Sequence, residues 1–371
     1  MHIKHLNLVN FKNIDQAEIE FSQGINCLVG HNGAGKTNVL DALYYLSFCK
    51  SYFNSVDSQN IRHDEEFFVV QGQYLRNDEN EQIYCGLKRS QKKHFKRNKK
   101  EYGKLAEHIG FLPLVMITPS DEQLINDGSE LRRKYMDGVI SQYDRAYLDD
   151  LLRYNRALVQ RNATLKQMRE SGKRDTSMLS LWDEQLSKLA HSIYEKRAAF
   201  LKELVPVFQK YYAYISEGKE EIAIEYRSHL HDGTLVDQLK EVWQKDVIVG
   251  YTSKGIHKDD LEMQLSGFPI KKMASQGQKK TFLIALKLAQ YEFIHRHNGL
   301  KPILLLDDIF DKLDDARSNQ LLKLVSEDLF NQIFITHTKE SYVLDIVKQT
   351  GKAYKIIGVE GGQVKDLEEV K

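Results

Sequence analysis

Apolar positions along the chain follow two different periods. From residue 1 to about 115, strand-like runs at 2–9, 25–29, 67–74 and 82–87 alternate with one helical pattern from Lys36 to about Phe48. Between Pro119 and Pro206 there is no proline, and apolar side chains recur every three or four positions: Leu131, Tyr135 and Val139 in one row, Tyr143, Tyr147 and Leu151 in the next. From about Val247 the mixed rhythm returns, with 303–306 and 333–335 as short apolar runs of the kind found in buried parallel strands. The pattern predicts α/β segments at both ends, which the motifs below join into one discontinuous domain over 1–118 and 230–371, interrupted by an α-helical insertion over 119–229. That insertion is too short for coiled-coil arms of hundreds of residues at about 1.5 Å each.

Composition changes this picture little. The chain has 371 residues, 42% hydrophobic and 28% charged, which suffices for one or two cores. No run approaches the roughly 18 apolar residues of a membrane-spanning helix, and the opening MHIKHLNLVN lacks a secretory hydrophobic region, so a cytoplasmic protein without a membrane partner is expected. Cys27, Cys49 and Cys85 lack metal-ligand spacing and read as buried or incidental thiols. A net charge of +1 does not announce a nucleic-acid partner, but the charge is unevenly spread.

Three motifs carry chemistry. Gly30, His31, Asn32, Gly33, Ala34, Gly35, Lys36 and Thr37 fit G-x-x-x-x-G-K-[ST], the Walker A loop, between an apolar strand and a helix. Its glycines let backbone N–H groups turn inward on phosphate oxygens, and the helix start adds a positive end. Lys36 would bridge the β and γ phosphates of ATP, and the Thr37 hydroxyl would coordinate Mg²⁺, with Asn38 next in the loop. The run Pro302 to Leu306 ends in Asp307 and Asp308, charges that an apolar strand would not carry without a use for them. Asp307 suits the Mg²⁺ shell, and Asp308 a group that orients or deprotonates water. Ser275, Gln276, Gly277 and Gln278 form an S-x-G-Q sequence about 25 residues before that strand, opening a helix that carries Phe282, Leu283, Leu286, Ala289 and Phe293, with Ser275 as its N-cap.

This set resembles the ABC ATPase family, with Leu313-Asp314 as a D-loop, His337 after the last core strand as a switch histidine, and Gln123 as a candidate for the glutamine loop. Within that superfamily, Leu6 to Asn13, Thr37 to Leu43, Arg153 to Leu158, Gly255 to Leu261 and Ser275 to Gln290 resemble the RecF family over essentially the whole chain. Lys12, Ile256-His257-Lys258 and Gln276 depart from it, standing where that family usually has Arg, Pro-His-Arg and Arg. The resemblance implies an ABC/SMC-type P-loop ATPase head with an inserted helical domain, dimerising around ATP so that each signature sequence meets the γ-phosphate held by the other copy. It also implies slow hydrolysis used as a switch, DNA binding at gaps and single-strand/duplex junctions, and RecA loading together with RecO and RecR. The competing readings are a small SMC-like chromosome clamp and the nucleotide-binding subunit of a membrane transporter.

Residues 88–104 hold nine cations and a single acid, Glu101. Such a segment can neutralise several phosphates, and Lys92, Lys93, Lys96 and Arg97 are its candidate DNA contacts. A solvated hairpin tip is the alternative.

Overall fold

The computed structural model describes residues 1–172, 176–218, 220–310 and 315–370. It divides into two compact units: 1–121, 214–217 and 276–371 form the first, and 122–213 with 218–275 form the second.

Two sheets build the first unit. One is antiparallel, in the order β2 (Ile14–Glu20), β1 (His2–Phe11), β4 (Phe67–Arg76), β5 (Glu79–Lys88), β6 (His94–Arg97), β7 (Lys100–Glu101). The other runs β15 (Gln363–Val370), β14 (Tyr354–Glu360), β3 (Ile25–Val29), β13 (Ile333–His337), β12 (Ile303–Leu306), β8 (Leu114–Ile117). All of its pairs are parallel except β14 with β15. Strands β3, β8, β12 and β13 are buried at every residue, which explains why they read as unbroken apolar runs rather than as an alternation.

Helix α1 (Lys36–Phe48) shares one apolar core with both sheets, where Val39, Leu40, Leu43 and Leu46 meet Leu6 and Leu8 of β1 and Leu28, Leu305 and Phe334 of the parallel sheet. Ala42 and Tyr45 are buried too, so the helix is covered on more than the single stripe its sequence suggests. Helix α8 (Gln276–Asn298) is likewise buried at every position from Thr281 to Ile294. Lys287 tolerates this because its ammonium pairs with Asp121 at 2.7 Å and donates to the Met116 carbonyl at 3.0 Å. Helices α9 (Asp315–Ser326) and α10 (Glu340–Thr350) complete the unit.

The second unit holds α2 (Gln123–Asn126), α3 (Ser129–Ile140), α4 (Arg145–Ser171), most of α5 (Ser177–Ser216), α6 (Leu235–Val249) and α7 (Ile270–Met273), with a small sheet of β9 (Ile222–Arg227), β10 (Asp260–Leu265) and β11 (Phe268–Pro269). The apolar row expected through Tyr143 is broken there: α3 stops at Ile140, and Asp144 caps α4 by accepting from the Tyr147 N–H. Because β9 pairs with β10 residue for residue, 230–275 groups with the helical unit, not with the α/β segments as the sequence boundaries had it. Two buried arginines pin this unit. Arg161 reaches Asp183 at 2.6 Å and Asp246 at 2.7 Å, while Arg197 reaches Asp137 and Asp259, each at 2.9 Å. No helix among the described residues is long and apolar enough to cross a membrane. The three cysteines are buried free thiols, and burial pushes the Cys49 thiol up to about 12.

Two imidazoles are held neutral. Burial lowers His108 to about 4 even though Leu46 offers its carbonyl 2.7 Å from Nε2, and burial likewise lowers His257 to about 4. Below the ordinary value of 6.5 the unfolded chain takes up protons that the folded chain refuses. This contribution to stability is therefore complete above pH 6.5 and is lost as pH falls toward about 4. Thermal unfolding followed between pH 7 and 4.5 should show a falling Tm, with a shallower fall in His108→Gln. An unchanged pH profile in that variant would contradict the assignment.

Candidate functional site

Register brings the chemistry to one edge. Val29 pairs with His337, Ile335 stands two residues before it opposite Cys27, and Leu306 pairs with both Ile335 and Ile117. The C-terminal ends of β3, β13, β12 and β8 thus open onto the same side of the sheet, where parallel α/β sheets bind ligands. From β3 the chain enters the loop at Gly30, and Gly33 and Gly35 adopt φ of 79° and 116°, conformations that disfavour any side chain. A Cβ on Gly30 would stand 2.0 Å from the Val359 carbonyl oxygen, and one on Gly35 would stand 2.9 Å from Asn13 Oδ1. Lys36 is buried and turns back over the loop, donating to the carbonyls of Gly30 at 2.8 Å and His31 at 3.0 Å.

The loop and the acidic strand end meet directly. Thr37 Oγ1 lies 2.9 and 3.1 Å from the two carboxylate oxygens of Asp307, across 270 residues of sequence. Thr336 on β13 joins them: its hydroxyl donates to Asp307 Oδ1 at 2.8 Å and accepts from the Asp308 N–H at 2.9 Å. Burial raises the Asp307 carboxyl above its ordinary value, hydrogen bonds from Thr336 and Thr37 pull it back, and Asp308 pushes it up again. A desolvated carboxylate beside a hydroxyl and a second acid is an oxygen-rich setting that fits Mg²⁺. Asp308 is partly exposed, with φ of 46°, a left-handed conformation that Asp adopts more readily than most residues.

Several contributors were not read from the sequence as site residues. Asn13, in the tight turn between β1 and β2, donates to the carbonyls of Gly33 at 3.4 Å and Ala34 at 3.3 Å and accepts from Asn38 at 2.7 Å. The Gly362 N–H donates to Ala34 O at 2.9 Å, so a second hairpin turn leans on the same loop. Lys12, φ 56°, pairs at 2.6 Å with Asp41, which is fully buried on α1 and also accepts from Ser51 Oγ at 2.6 Å and the Tyr52 N–H at 2.7 Å. The opening stretch that Lys12 and Asn13 close thereby braces the phosphate loop. The signal was their place in a strand-turn-strand pattern just ahead of the loop strand.

Other expected residues are placed as follows. His31 and Asn32 are exposed at the loop tip. His337 is buried at the end of β13, where Nδ1 accepts from the Lys339 N–H at 2.9 Å, its ring stacks on Tyr342 at 4.7 Å, and its carbonyl receives the Gly30 N–H at 3.4 Å. Gln276 to Gln278 open α8, with Ser275 exposed immediately before it as the last residue of the second unit. A Cβ on Gly277 would stand 2.7 Å from Arg317 Nη1, the far end of a long, flexible side chain. Gln123 is exposed and begins α2 in the second unit. Leu313 and Asp314 lie outside the described residues.

The four candidate DNA contacts separate into two kinds. Lys93 turns inward, to Asp57 at 2.7 Å, the Cys49 carbonyl at 2.6 Å and the Tyr45 hydroxyl at 3.1 Å, while Arg97 pairs with Glu81 and stacks on Phe111 at 3.9 Å. Lys92 is exposed, and Lys96 stands over the Tyr84 ring at 5.7 Å. The hairpin tip Asn98-Lys99, both at positive φ, carries further exposed lysines, Lys99 and Lys100.

Residues 2–360 match the family described as the RecF/RecN/SMC N terminal domain. The chain is 53% identical over 372 residues to the DNA replication and repair protein RecF of Phocaeicola vulgatus, covering 100% of both chains. It is 50% identical over 359 residues to that of Flavobacterium johnsoniae, covering 97% of this chain and 100% of the other. A solved structure of the recombination mediator protein RecF with ATP, in the RecFOR pathway, superposes with a TM-score of 0.89 at 32% identity, over 99% of this chain and 98% of that one. The Smc head domain from Pyrococcus furiosus, TM-score 0.58 at 16% identity over 100% and 96%, shares the fold.

Asn13→Ala should weaken ATP binding about fivefold, the effect of roughly 1 kcal/mol of lost hydrogen bonding. Gly35→Ala should abolish binding. Titration with a fluorescent nucleotide checks both, and wild-type affinity in either variant would contradict this picture of the loop.

Proposed function

The chain belongs to the RecF/RecN/SMC N-terminal domain family, and on that footing we propose that it is an ATP-hydrolysing DNA replication and repair protein that acts as a recombination mediator. The observation that carries this reading is the contact of Thr37 with Asp307, 2.9 Å across 270 residues. It supports one nucleotide site built from the phosphate loop and the acidic strand end. Full-length similarity to RecF proteins favours this function over the transporter subunit and the chromosome clamp.

In this reading the loop N–H groups and Lys36 bind the phosphates, and Lys36 exchanges its two carbonyl partners for phosphate oxygens. Thr37 and Asp307 would hold Mg²⁺, which would supply charge neutralisation at the phosphates. Asp308 orients and deprotonates water at its partly exposed carboxylate, with its backbone fixed by Thr336. His337 acts from the neighbouring strand end. Ser275 to Gln278 place a helix start against the γ-phosphate held by a second copy, and Leu313-Asp314 and Gln123 belong to the same switch. The first unit is the ATPase head and the second its helical insertion. ATP closes a cytoplasmic dimer on DNA at gaps and junctions, where RecO and RecR are the partners and hydrolysis is slow. Lys92 and Lys96, with Lys99 and Lys100, contribute cations to the DNA surface, whereas Lys93 and Arg97 brace the hairpin.

Lys36→Ala should abolish ATP-dependent dimerisation. Asp308→Asn should bind ATP, lower turnover by about 100-fold or more and trap the dimer. Sedimentation with saturating ATP separates the two, and a monomeric Asp308→Asn protein would sink the proposal.

A further inference from the structure

Two segments noted in the sequence, Arg153 to Leu158 and Gly255 to Leu261, meet inside the second unit. The Tyr154 hydroxyl lies 2.8 Å from His257 Nδ1, and a Cβ on Gly255 would stand 2.6 Å from that hydroxyl. Packing thus accounts for Tyr154 and Ala157, which are buried. It leaves Arg153, Asn155 and Arg156, which are exposed, without an explanation.

Internal partners do not supply one. Arg132 is paired with Asp260 at 2.6 Å, Arg133 donates to the Asp259 carbonyl at 2.6 Å, and Arg161 and Arg197 are buried in the ion pairs described above. Among the described residues, by contrast, no ion pair or hydrogen bond engages Arg145, Arg153 or Arg156. At about 100° per residue, the buried stripe of Tyr147, Tyr154, Ala157, Arg161, Leu165 and Met168 leaves Arg145 and Arg156 near the middle of the opposite face, with Lys166 to one side and Arg153 at the other edge, toward the stripe. Exposed charges on that face are four cations (Arg145, Arg153, Arg156, Lys166) against two acids (Asp149, Glu170), while Arg169 lies toward the stripe and donates to the Val249 carbonyl at 3.5 Å. From Arg145 to Lys166 the helix rises about 31 Å, close to one turn of duplex DNA at roughly 34 Å.

We propose that the outer face of α4 is a contact for the phosphate backbone of duplex DNA. This rests on the DNA-binding reading above and adds a surface to it. Arginines suit the role because a planar guanidinium grips phosphate oxygens in pairs and loses less hydration than an ammonium. Leu152 and Val159, 39% and 64% exposed on the same face, are what a protein partner would use instead.

The test is duplex binding by the full chain with ATP, titrated by fluorescence anisotropy between about 50 and 200 mM salt. Each lost phosphate contact flattens the slope of log K against log salt by about 0.9. Arg153→Gln with Arg156→Gln should therefore flatten it by about 1.8, making the loss of affinity across that range about tenfold smaller than in the wild type. Lys188→Gln with Lys202→Gln, the same charge change on the exposed surface of α5, should leave the slope unaltered. A wild-type slope in the α4 variant, or an equal flattening in the α5 variant, overturns the assignment while DNA binding itself stands. Loss of self-association with the duplex slope intact would assign the face to a second copy and also overturns it. A wild-type protein that holds no duplex would sink both readings.

Discussion

A carboxylate that has lost its water must find compensation, and the first unit is arranged around one such group. Asp307 is buried at the end of an apolar strand, beside a second acid, with hydroxyls from Thr37 and Thr336 as its close partners. Two hydroxyls do not neutralise it, and its raised proton affinity records the deficit. The surroundings follow from that deficit. Parallel pairing aligns the strand ends, glycines let the loop backbone curl, and α1 carries Thr37 to the acid because its own side chains are buried in the core shared by both sheets.

The second unit handles buried charge differently. Arg161 lies between two carboxylates and a hydroxyl, and Arg197 between two carboxylates, a hydroxyl and a carbonyl, all on separate elements, so their removal would leave several acids uncompensated inside the unit. These cations are structural. A segment rich in arginine can therefore present a very different surface from the one its sequence suggests, and the same holds for Lys93 and Arg97 in the first unit. Which cations face water is decided by pairing, not by density along the chain.

Much of the nucleotide site was legible because its requirements are local. Residues 30–37 need glycine, lysine and threonine at fixed offsets, and 303–308 need an apolar strand that ends in acid. The bounds of β3 and α1 follow from the same spacing. What escaped depends on tertiary neighbours that spacing does not encode. Asn13 acts through carbonyls 20 and 21 residues away, Thr336 through an acid on the adjacent strand, and Asp41 through a lysine on β1's turn. The grouping of 230–275 with the helical unit was hidden for a similar reason. Strand alternation after Val247 looks the same whether a strand joins the large parallel sheet or, like β10, pairs with β9.

The central claim is that Thr37 and Asp307 serve one metal–nucleotide site. It is tested most directly by the increment in ATP affinity that Mg²⁺ gives over EDTA, measured by calorimetry in the wild type, Thr37→Val, Asp307→Asn and the double variant. If the two residues act as a unit, either single change removes most of that increment and the second change adds little, a strongly non-additive cycle. Additive losses, or an increment that survives in both single variants, would contradict it.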